Sequence, residues 1–416
     1  MRHRIHQQIL YLSCIALAFF LPLAPKILPS LIMVMGINWL VSGIWLRTIS
    51  RFRSEKWRGQ TLFFAALYLL YLVGMLYSTD FSYGWFDLQV KLSLLIFPLI
   101  FSTSDLTTFT PSRISLLFGA YINGIIAGSV MLLLHTLVIN ARWGVPDPWY
   151  YTNLAWFFHP TYLAMYYCFG MAVLLWHIGS NSSKNPFILT LLLCLCALYL
   201  EILIFLLSSK AGVMVLALIQ VLFLLLLVHK RTPLYRVVYV FMFLAIVFVV
   251  NSRMFPKGFN RFSTADKMIT DSRTRATNPN DGTVARMEIW KISADLIRQH
   301  FMFGVGTGDV KNVLMESYRE HQLYPVYKKK LNAHNQYIQT FLTLGVTGFL
   351  LLLAVLFRPA WHNLRKEDYL YVAFIVIFAV NLLFESMLEI QAGVVFYAFF
   401  NALLFSTAFV EKPLGS

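Results

Sequence analysis

His334 opens the stretch HNQYIQTFLTLGVTGF, in which His-Asn is followed by nine residues and then Gly-x-x-Gly. Imidazole is the side chain best suited to accept a proton near neutral pH, and this one stands where a long polar segment gives way to an apolar run. Counted at roughly 100° per residue, a helix begun at His334 carries Gly345 and Gly348 on the histidine's own face. Small residues there would let another helix approach, so the ring should face protein rather than lipid. A first-turn position would also favour neutral imidazole. The chemistry this suits is removal of a proton from a hydroxyl at a membrane surface. The plainer alternative is a histidine that caps or anchors at the interface.

Other ionisable residues border apolar runs, where they are costly and count as functional candidates. Glu385 and Glu389 lie four apart near the end of one run, and His159 near the start of another. LLSSKAG places Ser208, Ser209 and Lys210 in a tight turn between two runs. On a wheel for 284–298, Arg286 falls with Ile289, Trp290, Ala294, Leu296 and Ile297 on the apolar side. An arginine there needs an anion, and phosphate matches its forked donors. An ion pair for Arg286, and a lysine snorkelling to the interface for Lys210, are the structural alternatives. No His, Asp or Glu set has metal-ligand spacing, so no metal and no cofactor is expected. FGVGTGD at 303–309 lacks a preceding strand and the full dinucleotide spacing, so it reads as a turn.

The elements that must position these residues are membrane helices. Hydrophobic residues make up 58% of 416 and charged residues 13%, which excludes an ordinary soluble domain. The net charge of +15 is spread over short loops, so it reflects topology and not nucleic-acid binding. The expected fold is all-α and polytopic. About twelve spans are predicted, near 8–24, 28–46, 60–77, 88–102, 114–138, 156–177, 187–207, 211–228, 234–251, 334–357, 368–387 and 391–410. Residues 1–251 would hold nine of them, 252–333 a long external segment with short helices, and 334–416 the last three. MRHRIHQQ and the run after it lack a small-residue cleavage site and read as an uncleaved first span. Basic loops with Arg2 and Arg4, with Arg47 to Arg58, with Lys230 to Arg236 and with Arg358 to Lys366 fall on one side. That side should be cytoplasmic, with both termini. The candidates then gather at the opposite, outer face. All four cysteines fall in apolar runs, and no disulfide framework is readable.

These residues resemble the O-antigen ligase and polymerase superfamily, whose members transfer glycans from polyprenyl-diphosphate carriers. The resemblance rests on HNQYIQTFLTLGVTGF, on SSKAG at 208–212, on ARMEIW at 285–290 and on FGVGTG at 303–308, in family order. FHPTY at 158–162 is a further likeness, and Lys210 stands where the family usually has arginine. The resemblance implies a bacterial inner-membrane enzyme working on the periplasmic side without a metal. His334 and Glu385 would be catalytic, Arg286 and Lys210 would bind diphosphate, and Ser209, Trp290, Asn335, Gly345, Gly348 and His159 would support them. The partners would be membrane lipid, a polyprenyl-diphosphate-linked glycan donor, and lipid A-core or another glycan acceptor. Ligation to lipid A-core is the preferred reading. Glycan polymerisation and protein O-glycosylation use the same donor chemistry and stay open. A transporter of lipid-linked glycans is the alternative from another class, disfavoured because the candidates lie at one surface and no internal repeat is visible.

Overall fold

The computed structural model describes residues 2–48, 56–181, 186–229, 246–251 and 282–408, together with 242, 244 and 253. It is all-helical, without strands among the described residues. The longer helices are α1 (Arg2–Phe20), α2 (Leu28–Ser42), α3 (Lys56–Tyr77), α4 (Phe81–Thr103), α5 (Pro111–Trp143), α6 (Pro160–Asn181), α7 (Phe187–Leu206) and α8 (Lys210–His229). After them come α9 (Gly282–Gln299), α10 (Val310–Glu320), α11 (Gln336–Arg365), α12 (Tyr369–Phe384) and α13 (Gln391–Thr407). Among the described residues eight helices are long and apolar enough to cross a membrane, and α12 and α13 are shorter apolar helices. Most of the expected span 234–251, and most of 252–281, lie outside the described residues.

The core is aromatic and centres on α6, α12 and α13. Phe169 meets Phe400 edge-on at 4.7 Å and Phe378 stacks on Tyr397 at 4.5 Å, geometries that add to plain burial. A proline inside α11, Pro359, cannot donate to the carbonyl one turn back. Tyr397 supplies the missing donor, its hydroxyl lying 3.3 Å from the Val355 carbonyl.

Two expectations need correction. The span expected at 88–102 is the 23-residue α4, Phe81–Thr103. Asp87 ended a stretch read as loop, yet it is buried inside the helix and paired with Lys91. The glycines of α11 do not form the expected helix–helix seam. Gly345 has φ 67° and ψ −163°, a conformation that glycine alone adopts readily, and it breaks α11 into two segments. A β-carbon there would lie 2.3 Å from the Met302 carbonyl oxygen. One on Gly348 would strike Leu344 of the same helix. The wheel assumed unbroken helix, and glycine permits the break.

The glycine-rich turn fills this break. Val305 and Gly306 donate to the carbonyls of Leu342 and Thr343, and Val346 donates to Phe301 at 2.8 Å. The carbonyls and amide freed by the break are thereby satisfied. The same turn grips the end of α3. Thr307 donates to the Tyr71 carbonyl at 2.7 Å, Gly308 to Ser78, and the Asp309 carboxylate accepts from the Thr79 and Asp80 amides. Gly345→Val should therefore lower yield and melting temperature in detergent, since it combines forbidden backbone with a backbone clash, costs of about 1–3 kcal/mol or more. A melting temperature equal to wild type would contradict this origin of the break.

Candidate functional site

His334 is not in the first turn of α11. Its φ is 47°, and the helix begins two residues later at Gln336, capped by Asn335, whose side chain accepts from the Ile338 amide at 3.1 Å. Three side chains fix the loop before it. Asn332 accepts from the His334 amide, Gln339 accepts from the Ala333 amide, and Trp290 of α9 donates its indole N–H to the Ala333 carbonyl at 2.8 Å. The histidine's direction is thus set by loop geometry and not by a helix face.

Its ring meets a carboxylate. Nδ1 of His334 lies 2.7 Å from Oε1 of Glu385, and Oε2 of the same carboxylate lies 3.7 Å from the Arg286 guanidinium. Arg286 and Trp290 are one helical turn apart on α9. One turn of helix therefore holds both the loop before His334 and the carboxylate beneath it. The Glu385 side chain is 7% exposed, against 22% for His334 and 29% for Arg286, so the carboxylate is the floor and the other two face outward. A carboxylate at Nδ1 keeps the proton on that nitrogen and leaves Nε2 as the lone-pair acceptor.

Glu385 and Glu389 do not share a helix face as expected. α12 ends at Phe384, Glu385 is extended, and Met387–Glu389 is a single 3₁₀ turn. This turn sends the two carboxylates to different partners. Glu389 pairs with Lys91 of α4 at 3.1 Å, and Lys91 also pairs with Asp87. The Lys91 ammonium is fully buried and lies 4.7 Å from the centroid of the Tyr71 ring. Gln336, also fully buried, donates to Glu389 at 3.2 Å and accepts from the Leu388 amide at 2.7 Å. The residue that starts α11 is thereby tied to the segment carrying Glu385.

Among the remaining candidates, His159 precedes α6 and accepts from the Thr161 amide through Nδ1. It is close enough for its charge to act on Glu385. Ser209 caps α8, accepting from the Gly212 amide at 3.2 Å, and Lys210 is the first, half-buried residue of that helix. Ion pairs join Arg286 and His334 to Glu385, whereas the role of Lys210 rests on its place in the turn. Sequence reasoning missed Asp87, Lys91, Gln336 and Gln339. A signal existed for the first two, since opposite charges four apart in an apolar stretch mark a paired helix position.

Burial raises the pKa of Glu385, but the hydrogen bond from His334 and the charges of His334, Arg286 and His159 outweigh it and hold the carboxyl below the usual range. A carboxylate is therefore present at neutral pH for the imidazole to lean on.

A bundle of apolar helices with an imidazole, a carboxylate and a guanidinium joined at one end defines a polytopic membrane protein with a candidate acid–base site. The family model for O-antigen ligase matches residues 190–353, a stretch that includes Lys210, Arg286, Trp290 and His334 and stops short of Glu385. The resemblance to the O-antigen ligase and polymerase superfamily holds over that stretch, which points to glycosyltransferase or ligase activity. No curated protein matches the chain.

Both buried carboxylates bear on stability. Lys91→Met strands Glu389, and Asp87 with it, and should cost about 3–5 kcal/mol, read as a fall in melting temperature in detergent. A loss under about 1 kcal/mol, within the range of an exposed pair, would refute the assignment. For Glu385, the depressed folded pKa adds stability that is complete above the ordinary glutamate value of about 4.3 and is lost as pH falls through the lower folded value. Glu385→Gln should remove that acid-side dependence from the melting curve, and a variant that keeps it whole would show that other groups carry it.

Proposed function

We propose that this protein transfers a glycan from a polyprenyl-diphosphate carrier to an acceptor hydroxyl at the periplasmic face of the bacterial inner membrane, with O-antigen ligation to lipid A-core as the reaction. The observation that carries the proposal is the hydrogen bond of His334 to Glu385 beside Arg286, within a chain that matches the O-antigen ligase family. Nε2 of His334 would take the proton of the acceptor hydroxyl as that oxygen attacks the anomeric carbon. The anomeric carbon–oxygen bond breaks, and the diphosphate leaves on its lipid with the bonding electrons. Glu385 would stabilise the imidazolium formed.

Arg286 has one edge toward Glu385, and its exposed remainder would hold the departing diphosphate, with Lys210 as second cation. Preorganised charge of this kind commonly contributes more to catalysis than any other single effect. Both cations come from the protein, so the scheme calls for no metal. Trp290, Asn335 and Ser209 would act through the backbone they fix, Gly345 and Gly348 through the shape of α11, and His159 through its charge near Glu385.

The test is His334→Ala in a strain lacking the native gene, with lipopolysaccharide resolved from carrier-linked glycan. Transfer should fall by at least the roughly 10²–10⁴ typical of a lost general base, with normal membrane levels of protein, absent long chains on core and polymer retained on the carrier. Near-normal transfer would sink the role of His334. Core capped by a single repeat would instead assign polymerisation, and an unchanged glycan profile in the deletion strain would reject both.

A further inference from the structure

At the far end of α11 lies a cavity with a chemistry different from that of the His334 cluster. Arg358 lies 22 positions beyond Gln336. At about 1.5 Å per helical residue the two segments on either side of Gly345 together approach roughly 30 Å, about the thickness of a hydrocarbon core. This end of the bundle therefore meets the membrane surface opposite His334. A cavity of about 490 Å³ opens there between the start of α3, the end of α11 and α13. Lys56, Arg358 and Arg365 line it as cations, and Phe63, Trp361 and Phe405 as apolar walls. Among the described residues no aspartate or glutamate lines it. Glu367 lines the neighbouring cavity, which Arg365 also borders, and pairs with His229 at 3.5 Å. The guanidinium of Arg358 lies 5.6 Å from the Phe63 ring centroid, and that of Arg365 5.1 Å from Trp361. Their aromatic neighbours hold both arginines at the cavity while their forked donors stay available to an anion.

We propose that this cavity is a binding site for an anionic phospholipid, the phosphate held by Arg358, Arg365 and Lys56 and an acyl chain lying against Phe63 and Phe405. Three cations that face no aspartate or glutamate among the described residues lining the cavity select for negative charge, and the apolar walls select a lipid over a soluble anion. The site is separate from the His334 cluster and does not depend on the reaction proposed there.

The test uses the full chain, purified and delipidated in detergent, with thermal unfolding followed as lipid is added. Phosphatidylglycerol should raise the melting temperature saturably, whereas phosphatidylcholine and inorganic phosphate at equal concentration should not. Arg358→Gln with Arg365→Gln should leave the lipid-free melting temperature near wild type. It should also raise the half-saturating phosphatidylglycerol concentration by about fivefold per cation removed. Equal stabilisation by phosphatidylcholine, or stabilisation by phosphate alone, would overturn the proposal, as would an unshifted titration in the double variant. If that variant does not fold, the wild-type comparison decides, together with its salt dependence. Selectivity for phosphatidylglycerol that weakens as salt rises supports the site, and selectivity indifferent to salt refutes it.

Discussion

Two carboxylates in the short segment between α12 and α13 govern the rest of this structure. An ionised carboxylate buried in apolar surroundings is tolerated only when paired and hydrogen-bonded, and the side chains of Glu385 and Glu389 are only 7% and 8% exposed. Each draws in a cation from elsewhere in the chain: Arg286 from α9 for Glu385, Lys91 from α4 for Glu389. His334 adds a third contact and Gln336 a fourth. The segment thus fastens α4, α9 and α11 to the α12–α13 connection. It also explains why a membrane bundle with few charges concentrates several of them here.

The architecture was legible in outline because apolar runs near 20 residues announce themselves, and runs such as Phe187–Leu206 and Lys210–His229 fall within a residue or so of expectation. What misled was reading charge as the end of a helix and glycine as its continuation. Asp87 is cancelled by Lys91 inside α4, so its charge did not mark a boundary. Gly345 looked like one small residue on a helical face, although its backbone leaves the helix altogether. The residues around the site were legible by type. Their gathering at one face was expected from topology, but which atoms join was not, because that depends on a left-handed residue at 334 and an extended one at 385, and neither has a periodic signature.

The break in α11 has a structural purpose that the sequence hides. Without it the 303–309 turn would have no open backbone to bind, and α3 would lose the donor to its Tyr71 carbonyl and the contacts of its Ser78–Asp80 turn. Tyr71 is the ring that faces Lys91. The glycine-rich turn therefore reaches the Glu389 cation through α3 while the first segment of α11 reaches Glu389 directly through Gln336. Two routes converge on one charge cluster, and the unwound residue lies where they part.

The spacing within the His334 cluster bears on how it could respond to substrate. The His334–Glu385 bond is short at 2.7 Å, while Arg286 stands off at 3.7 Å. A guanidinium at that distance pairs by charge without a tight bond, so moving it toward an arriving phosphate forfeits little. Sharing its charge with the phosphate would leave Glu385 less neutralised and more able to stabilise a positive imidazole. In the proposed reaction, then, the bound diphosphate leaves the carboxylate freer to serve His334 before the ring takes on charge. A tightly bidentate Arg286–Glu385 pair would lack this property, since the phosphate would first have to break it. The loose pair suits a cation with two partners to serve at once.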